Sequence, residues 1–180
     1  KGVVEAVMSR LTWKMCLEMF AGRNRNKTDR PMAANTRIHD GRKDGFMGGP
    51  GQFVVKLHNT FILFIKPNDH HTVYAGGWQT VTTKDRIRRF SNARIYSSKG
   101  DWWTTYSGIP VLFRDGMEFN IFGELVMNEC FTEVDAELHR IANAEIARKR
   151  PQGYATYGLM ENKVYELVKK YEKADMRLAS

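Results

Sequence analysis

The stretch from Phe53 to Ile65, FVVKLHNTFILFI, determines the predicted fold class. In its first half, Phe53, Val55 and Leu57 occupy every second position, the spacing of a β-strand with one face toward a core. Its second half, Phe61 to Ile65, is an uninterrupted apolar run, which is typical of a strand covered on both faces. The two halves predict a sheet in the middle of the chain.

Further strands are predicted on both sides of this stretch, because runs of β-forming residues recur between turn residues. These strands are residues 35–39, 71–75, 94–98, 101–106, 111–113 and 117–121. Asp115-Gly116, between the last two, is a strong hairpin signal. Gly76-Gly77 ends the 71–75 strand, and a short basic helix is predicted to follow, from an N-cap at Thr82 to Phe90.

Apolar residues at helical spacing predict helices at both ends of the chain. The predicted helices are residues 3–20, 124–150 and 160–178, with a polar loop at 23–30 closed by Pro31 and an irregular loop at 40–51. The predicted fold class is α+β: a small twisted antiparallel sheet with one short inserted helix, flanked by an N-terminal helix and two C-terminal helices. The expected parts are an N-terminal helix (1–22), a β-rich core module (23–123) and a C-terminal helical appendage (124–180).

Composition favours a basic globular protein. Of the 180 residues 42% are hydrophobic, enough for a core, and 28 basic against 20 acidic residues give a formal charge of +8. Excess positive charge favours polyanionic partners: nucleic acid, phosphate-rich ligands or acidic protein surfaces. No stretch approaches the roughly 20 apolar residues that span a bilayer, so no membrane partner is predicted. Cys16 and Cys130 are expected to be buried thiols, which favours a reducing cytoplasm.

Three histidines are candidates for catalysis, because His58-Asn59-Thr60 and His70-His71-Thr72 share the form His-x-Thr. In two-histidine phosphoesterases each imidazole of such a pair acts as acid or base. Those motifs normally lie in separate halves of a pseudo-symmetric fold, so the short spacing here argues against this chemistry. On adjacent strands the three imidazoles would suit a metal with Asp69 or Asp40. Solvent-exposed turn histidines are the more common arrangement, and we predict neither a metal nor a cofactor.

The segment from Gly76 to Arg86, GGWQTVTTKDR, combines glycines, hydroxyls and a basic helix start. Such a start favours anion binding through backbone N–H groups and the helix dipole. The segment lacks the spacing of a P-loop, so it predicts no nucleotide motif. The alternative is a plain strand-to-helix turn in which the threonines act as caps.

Basic and aromatic residues cluster in the same region. The predicted polyanion-binding residues are Lys84, Arg86, Arg88, Arg89, Arg94, Trp78, Trp102 and Trp103. Basic grooves with exposed rings suit single-stranded nucleic acid. Since neighbouring strand residues point to opposite faces, one of Trp102 and Trp103 is expected to be exposed. The alternative is that the tryptophans are core residues and the arginines a solvated face.

Four stretches follow one another in a specific order: Asn35-Thr36-Arg37-Ile38, then residues 55–60 (VKLHNT), residues 76–87 (GGWQTVTTKDRI), and Asp115-Gly116-Met117. In this order, over roughly residues 30–120, they resemble a family of small proteins encoded by tailed bacteriophages and prophages. The resemblance implies a phage context and a shared β module, without a mechanism. It also implies one polar site formed by Asn35, Thr36, His58, Thr60, Thr80, Thr82, Thr83, Lys84 and Arg86.

The leading hypothesis is a non-enzymatic phage accessory or virion-associated protein that binds nucleic acid or another polyanion. The first alternative is an enzyme acting on a phosphodiester or nucleotide through His58, His70 or His71. The second is a protein-interaction module, either a host-factor inhibitor or a virion component, with the aromatic strand or the C-terminal helices as the contact. The predicted location is the host cytoplasm or the virion.

Overall fold

The computed structural model describes residues 10–43, 51–98, 100–148 and residue 166. Within them it has ten strands and three α-helices, so the predicted α+β class is confirmed. The strands form two antiparallel sheets and not one. Parts of several predicted elements lie outside the described residues: residues 3–9, most of the 40–51 loop, Lys99 and the predicted 160–178 helix apart from Glu166.

A seven-stranded sheet has the order β1-β2-β3-β4-β5-β9-β10. Its strands are β1 (Asp29–Ala33), β2 (Thr36–Asp40), β3 (Phe53–Leu57), β4 (Thr60–Ile65), β5 (His71–Val73), β9 (Met117–Phe119) and β10 (Leu125–Val126). Every pairing is antiparallel, and β3 pairs with β4 through Leu57 and Thr60, so residues 58 and 59 form a two-residue turn. The central stretch thus folds into two neighbouring strands, as its pattern predicted.

A second sheet has the order β6-β7-β8, with β6 at Tyr96–Ser98, β7 at Asp101–Tyr106 and β8 at Ile109–Leu112. The chain divides into two compact units: Lys1–Arg94 with Arg114–Val126, and Ile95–Phe113 with Met127–Ser180. The three-stranded sheet belongs to the second unit together with α3 (Glu133–Arg148), which packs on β8.

A bulge in β4 explains its apolar run. Val55 pairs with Leu63 but Lys56 pairs with Phe61, so Ile62 is an extra residue on β4. Ile62, Leu63 and Ile65 are all fully buried, whereas Phe61 and Phe64 are half-buried. A bulge inserts one residue and redirects its side chain. The run therefore reflects a bulged strand with one fully buried face, rather than a strand equally covered on both faces.

Two helices cover the buried face of the large sheet. Helix α1 (Trp13–Met19) is capped by Thr12, and the rings of Trp13 and Phe20 pack on Phe53 with centroids 4.7 and 5.7 Å away. It is shorter than the predicted helix, since residues 10–12 are not helical. Helix α2 (Val81–Phe90) buries Thr83, Ile87 and Phe90, at the spacing of one helix face.

Four further predictions from the sequence are wrong. Residues 29–33 form the edge strand β1, where Pro31 is tolerated because an edge strand leaves N–H groups unpaired. Thr80, and not Thr82, is the N-cap of α2. The strands flanking Asp115-Gly116 do not pair with each other: β8 pairs with β7, and β9 with β5 and β10. Residues 125–126 are a strand, and α3 begins only at Glu133.

Candidate functional site: a threonine-lined cleft beside a basic helix

Two turns lie side by side at one end of the large sheet. His58, in the β3–β4 turn, has φ of +51°, and Asn35, in the β1–β2 turn, has φ of +54°. The backbone N–H of His58 donates a hydrogen bond of 2.7 Å to the carbonyl oxygen of Asn35. This bond holds the two turns together, so the side chains of both turns lie at the same end of the sheet.

The segment after β5 approaches the β3–β4 turn closely. Gly76 has φ of +60°, and a Cβ atom at this position would lie 2.3 Å from the Cγ2 atom of Thr60. Asp115 holds the segment in place, because its carboxylate oxygens accept hydrogen bonds from the N–H groups of Ala75 (2.6 Å) and Gly76 (2.8 Å). Glycine is required at position 76 both by the positive φ and by the contact with Thr60.

The start of α2 completes the site. The Thr80 hydroxyl accepts a hydrogen bond from the N–H of Thr83 (3.1 Å) and lies 2.9 Å from the Thr83 hydroxyl. An N-cap hydroxyl that satisfies a first-turn N–H typically stabilises a helix by about 1 kcal/mol. Because Thr80 takes this role, the side chain of Thr82 is left to face the cleft.

These elements enclose a cleft of about 490 Å³. Its apolar lining comes from Leu57, Ile62 and Ala75, and its polar lining from His58, Asn59, Thr60, Thr80, Thr82 and Thr83. Trp78 also lines the cleft, and its side chain is 65% exposed. We call this site the threonine cleft.

A second groove, of about 360 Å³, adjoins the same turn, and His58 lines both. Asn35, Thr36 and Arg37 contribute to it. The Nε atom of Arg86 donates a hydrogen bond of 3.2 Å to the buried Thr36 hydroxyl, and the same guanidinium pairs with Asp85 at 2.8 Å. The polar residues predicted from the sequence thus line these two grooves or contact a residue that lines them, with one exception. The exception is Lys84, which is half-buried on α2.

Basic side chains continue from the cleft along α2. Thr82, Arg86 and Arg89 lie three and four residues apart, which places them in one row on the helix surface. Arg88 and Arg89 are exposed, as is Arg94 just beyond the helix. Arg94 donates a hydrogen bond of 3.4 Å to the carbonyl oxygen of Phe122. We call Lys84, Arg86, Arg88, Arg89 and Arg94 the α2 basic surface.

The expectation that Trp102 or Trp103 is exposed is wrong, because both are only 2% exposed. Trp103 packs with Ala142 of α3 and with Tyr96 and Leu112. Trp102 lies 5.7 Å from the ring of Phe113. Neither indole is accessible for stacking on a ligand.

The three candidate histidines do not converge. His58 and His70 lie beyond opposite ends of β4, a strand of six residues that spans about 20 Å. His71 is fully buried and its Nδ1 atom accepts a hydrogen bond of 3.0 Å from the N–H of Asn92. Burial lowers the pKa of His71 to about 4, so His71 is a neutral core residue.

His70 belongs to a separate ionic cluster. Its Nδ1 atom lies 2.7 Å from the carboxylate of Glu118, which also pairs with Lys66. Burial opposes the charge on Glu118, but the hydrogen bonds from Lys66 and His70 outweigh it and lower the pKa of the Glu118 carboxyl. The proposed metal-binding carboxylates are occupied elsewhere: Asp40 pairs with Arg42, and Asp69 accepts the N–H of Trp13. In the described part of the chain, no three His, Cys, Asp or Glu side chains are grouped as a metal site requires.

No sequence motif indicates that Asp115 supports the cleft or that Ile62 lines it. The sequence predicts Asp115 only as a hairpin turn residue and Ile62 only as part of an apolar run. The Gly-Gly pair indicates a special backbone, but not the contact of Gly76 with Thr60. No sequence pattern indicates the row of rings on the other sheet face, where Phe64 lies between Phe61 and Tyr74, at 6.3 and 5.2 Å.

The fold and the site define an α+β protein with a threonine-lined cleft at one end of its large sheet and a basic helix beside it. The family model of the Kyanoviridae Gp96 protein matches residues 12–120, more than half of the chain. The chain therefore belongs to the Kyanoviridae Gp96 family, a family of phage proteins. The matched range contains every residue of the threonine cleft and the α2 basic surface, and ends before β10 and α3.

Searches among curated proteins and among solved structures gave no match. Among the described residues, no helix is both long and apolar enough to cross a bilayer.

Proposed function

We propose that this phage protein binds nucleic acid, without catalysis, through the α2 basic surface. The observation that carries the proposal is the pair Arg88 and Arg89, exposed in the last turn of a helix whose opposite face is fully buried. Because Thr83, Ile87 and Phe90 fix α2 on the sheet, the two guanidinium groups are displayed from a rigid element. Phosphates are the natural partners of such groups, since each neutralised phosphate releases counterions.

The charge balance around α2 favours a polyanion over an isolated anion. Residues 81–90 contain four basic side chains and one acid, Asp85, which pairs with Arg86. Arg94 extends the positive charge beyond the helix, and its guanidinium donates a hydrogen bond to the carbonyl oxygen of Phe122. Basic side chains that recur over nearly two turns of α2, from Lys84 to Arg89, match the repeated phosphates of a polyanion.

The experiment is a salt titration of binding to single- and double-stranded DNA. We expect log affinity to fall linearly with log salt for the wild type. An R88A/R89A variant that loses two phosphate contacts should show a slope shallower by about 1.4 on single strands and about 1.8 on duplex. The matched control is R23A/R25A, which removes two exposed arginines from the 3-10 turn Gly22–Asn24 and its end.

Equal weakening by the two double variants would mean that only net charge matters, and would contradict the assignment to α2. Absence of any salt-dependent binding by the wild type would refute the proposed function itself.

The other hypotheses receive less support from the geometry. An enzyme that uses two or more of these imidazoles needs them to share a cleft, and His58, His70 and His71 are separated. An enzyme that acts through only one of them stays a prediction. A protein-interaction role through the aromatic strand needs accessible indoles, and Trp102 and Trp103 are buried. A contact through the C-terminal helices stays a prediction. A role for the protein in the host cytoplasm or within the virion is compatible with nucleic-acid binding, and mass spectrometry of purified particles would distinguish the two locations.

A further inference from the structure

We infer that the threonine cleft holds one unpaired base of a single strand, with the Trp78 indole stacked on it. The inference rests on the proposed function and adds a ligand class to it: the protein prefers single-stranded to double-stranded nucleic acid because a base must enter the cleft. Paired bases in a duplex are stacked inside the helix and cannot enter.

The lining of the cleft selects a neutral group. Among the described residues that line it there is no Asp, Glu, Lys or Arg; the polar groups are threonine hydroxyls, Asn59 and His58. Leu57, Ile62 and Ala75 supply an apolar floor. A phosphate forced against such a floor would lose hydration without a paired cation, which is costly. A planar base, by contrast, has apolar faces for the floor and edge donors and acceptors for the hydroxyls.

The size of the cleft also suits a base. Its volume, about 490 Å³, lies within the range of about 300–1,000 Å³ that small-molecule sites occupy. The bulge at Ile62 and the close contact of Gly76 with Thr60 set this shape. The cleft is therefore bounded by backbone features that do not depend on long, flexible side chains.

Trp78 is presented from an ordered turn. Its backbone N–H donates a hydrogen bond of 3.0 Å to the carbonyl oxygen of Ala75, and its own carbonyl accepts one of 2.7 Å from Thr80. Asp115 fixes the start of the same turn. The indole is thus exposed to solvent but carried on a constrained backbone, which lowers the entropic cost of stacking.

The strand's phosphates have a path away from the cleft. Thr82 lines the cleft, and the exposed Arg89 follows it seven residues later on the same row of α2. Over these seven residues the helix rises by about 10 Å. Arg86, between them, is already bound to Thr36 and Asp85. A strand with a base in the cleft would therefore run its backbone toward the exposed guanidinium groups of Arg88 and Arg89.

The test compares three DNA probes of equal length: an intact oligothymidylate strand, a strand of abasic sites with the same phosphates, and a duplex. We expect the wild type to bind the intact strand about tenfold more tightly than the abasic strand, equivalent to about 1.4 kcal/mol. W78A should reduce this ratio to near one and leave duplex binding and its salt slope unchanged. W78F, which keeps a ring, should retain most of the preference.

V81A is the matched control, because Val81 is 81% exposed beside the cleft but does not line it. Binding of the intact strand should also quench tryptophan fluorescence in the wild type but not in W78A, which keeps the half-buried Trp13 and the buried Trp102 and Trp103. If the wild type binds intact and abasic strands equally, or if W78A keeps the preference, the inference is overturned while the proposed function stands. If no probe binds in a salt-dependent way, the proposed function fails and the inference fails with it.

Discussion

The carboxylate of Asp115 accepts a hydrogen bond of 2.8 Å from the backbone N–H of Gly76, a residue 39 positions earlier in the chain. Its second oxygen accepts one from the neighbouring Ala75. One side chain thus holds the turn from which Trp78 projects, although Asp115 does not itself line the threonine cleft.

Replacing Asp115 should loosen this turn. D115A leaves two backbone N–H groups without their acceptor, so we expect a loss of about 1–3 kcal/mol in the free energy of unfolding. D115N keeps one oxygen acceptor and should lose less. Urea denaturation of D115A and D115N measures the loss. Equal stability of D115A and the wild type would contradict this role.

The two glycines before Trp78 provide a matched pair. Both have positive φ, but a Cβ atom at Gly77 meets nothing within 4 Å, whereas at Gly76 it meets Thr60 at 2.3 Å. G77A should therefore cost only the backbone penalty of about 1–2 kcal/mol, and G76A about 1–3 kcal/mol more. Denaturation curves of both variants measure this difference.

The contact itself is tested by a double-variant cycle. T60S removes the Cγ2 atom that Gly76 approaches, so in that background G76A should cost no more than G77A. If G76A costs the same in the wild-type and the T60S backgrounds, the penalty does not arise from this contact.

Buried His71 should make stability depend on pH. Its pKa is about 4 in the folded protein and about 6.5 when unfolded. Between these values the unfolded chain binds more protons, so the free energy of unfolding falls as pH decreases from about 6.5 to about 4. The full effect is about 3 kcal/mol.

H71N should flatten this dependence, because asparagine can accept the N–H of Asn92 without titrating. The measurement is the free energy of unfolding of both proteins at pH 7 and pH 4.5. A difference between wild type and H71N that stays constant over this range would contradict the assignment.

Alanine substitution of a buried and of an exposed tryptophan should have different effects on the stability of the protein. W103A removes a ring packed on Ala142, Tyr96 and Leu112 and should cost about 3–5 kcal/mol. W78A, at a 65% exposed position, should change stability by less than about 0.5 kcal/mol. Denaturant unfolding monitored by circular dichroism measures both. A large loss in W78A would show that its indole is a packing residue and not a displayed one.

Much of the fold could be predicted because strand and helix patterns are local. The period of two in Phe53, Val55 and Leu57, the helical spacing of Ile87 and Phe90, and the break at Gly76-Gly77 each depend on a few neighbouring residues. The polar residues implied by the family resemblance, except Lys84, also converge, for a simple reason. His58 and Thr60 follow β3, Thr80 to Thr83 follow β5, and β3 and β5 finish at the same end of the sheet.

The errors share a different physical origin. Asp115-Gly116 has the local chemistry of a hairpin turn, but a turn preference does not specify which strands pair across it, and here β8 and β9 join different sheets. Likewise, alternation predicts that Trp102 and Trp103 point to opposite faces, but not that both faces are covered.

By itself, then, the sequence determined the α+β class, the positions of most strands, the positive charge and the placement of glycines and threonines before α2. Those properties follow from backbone conformation and composition, which act within a few residues. The tertiary structure alone decided the burial of the indoles, the separation of the histidines, the bulge at Ile62 and the support of the Trp78 turn by Asp115. Each of these depends on contacts between residues far apart in the chain, whose free energy no local pattern records.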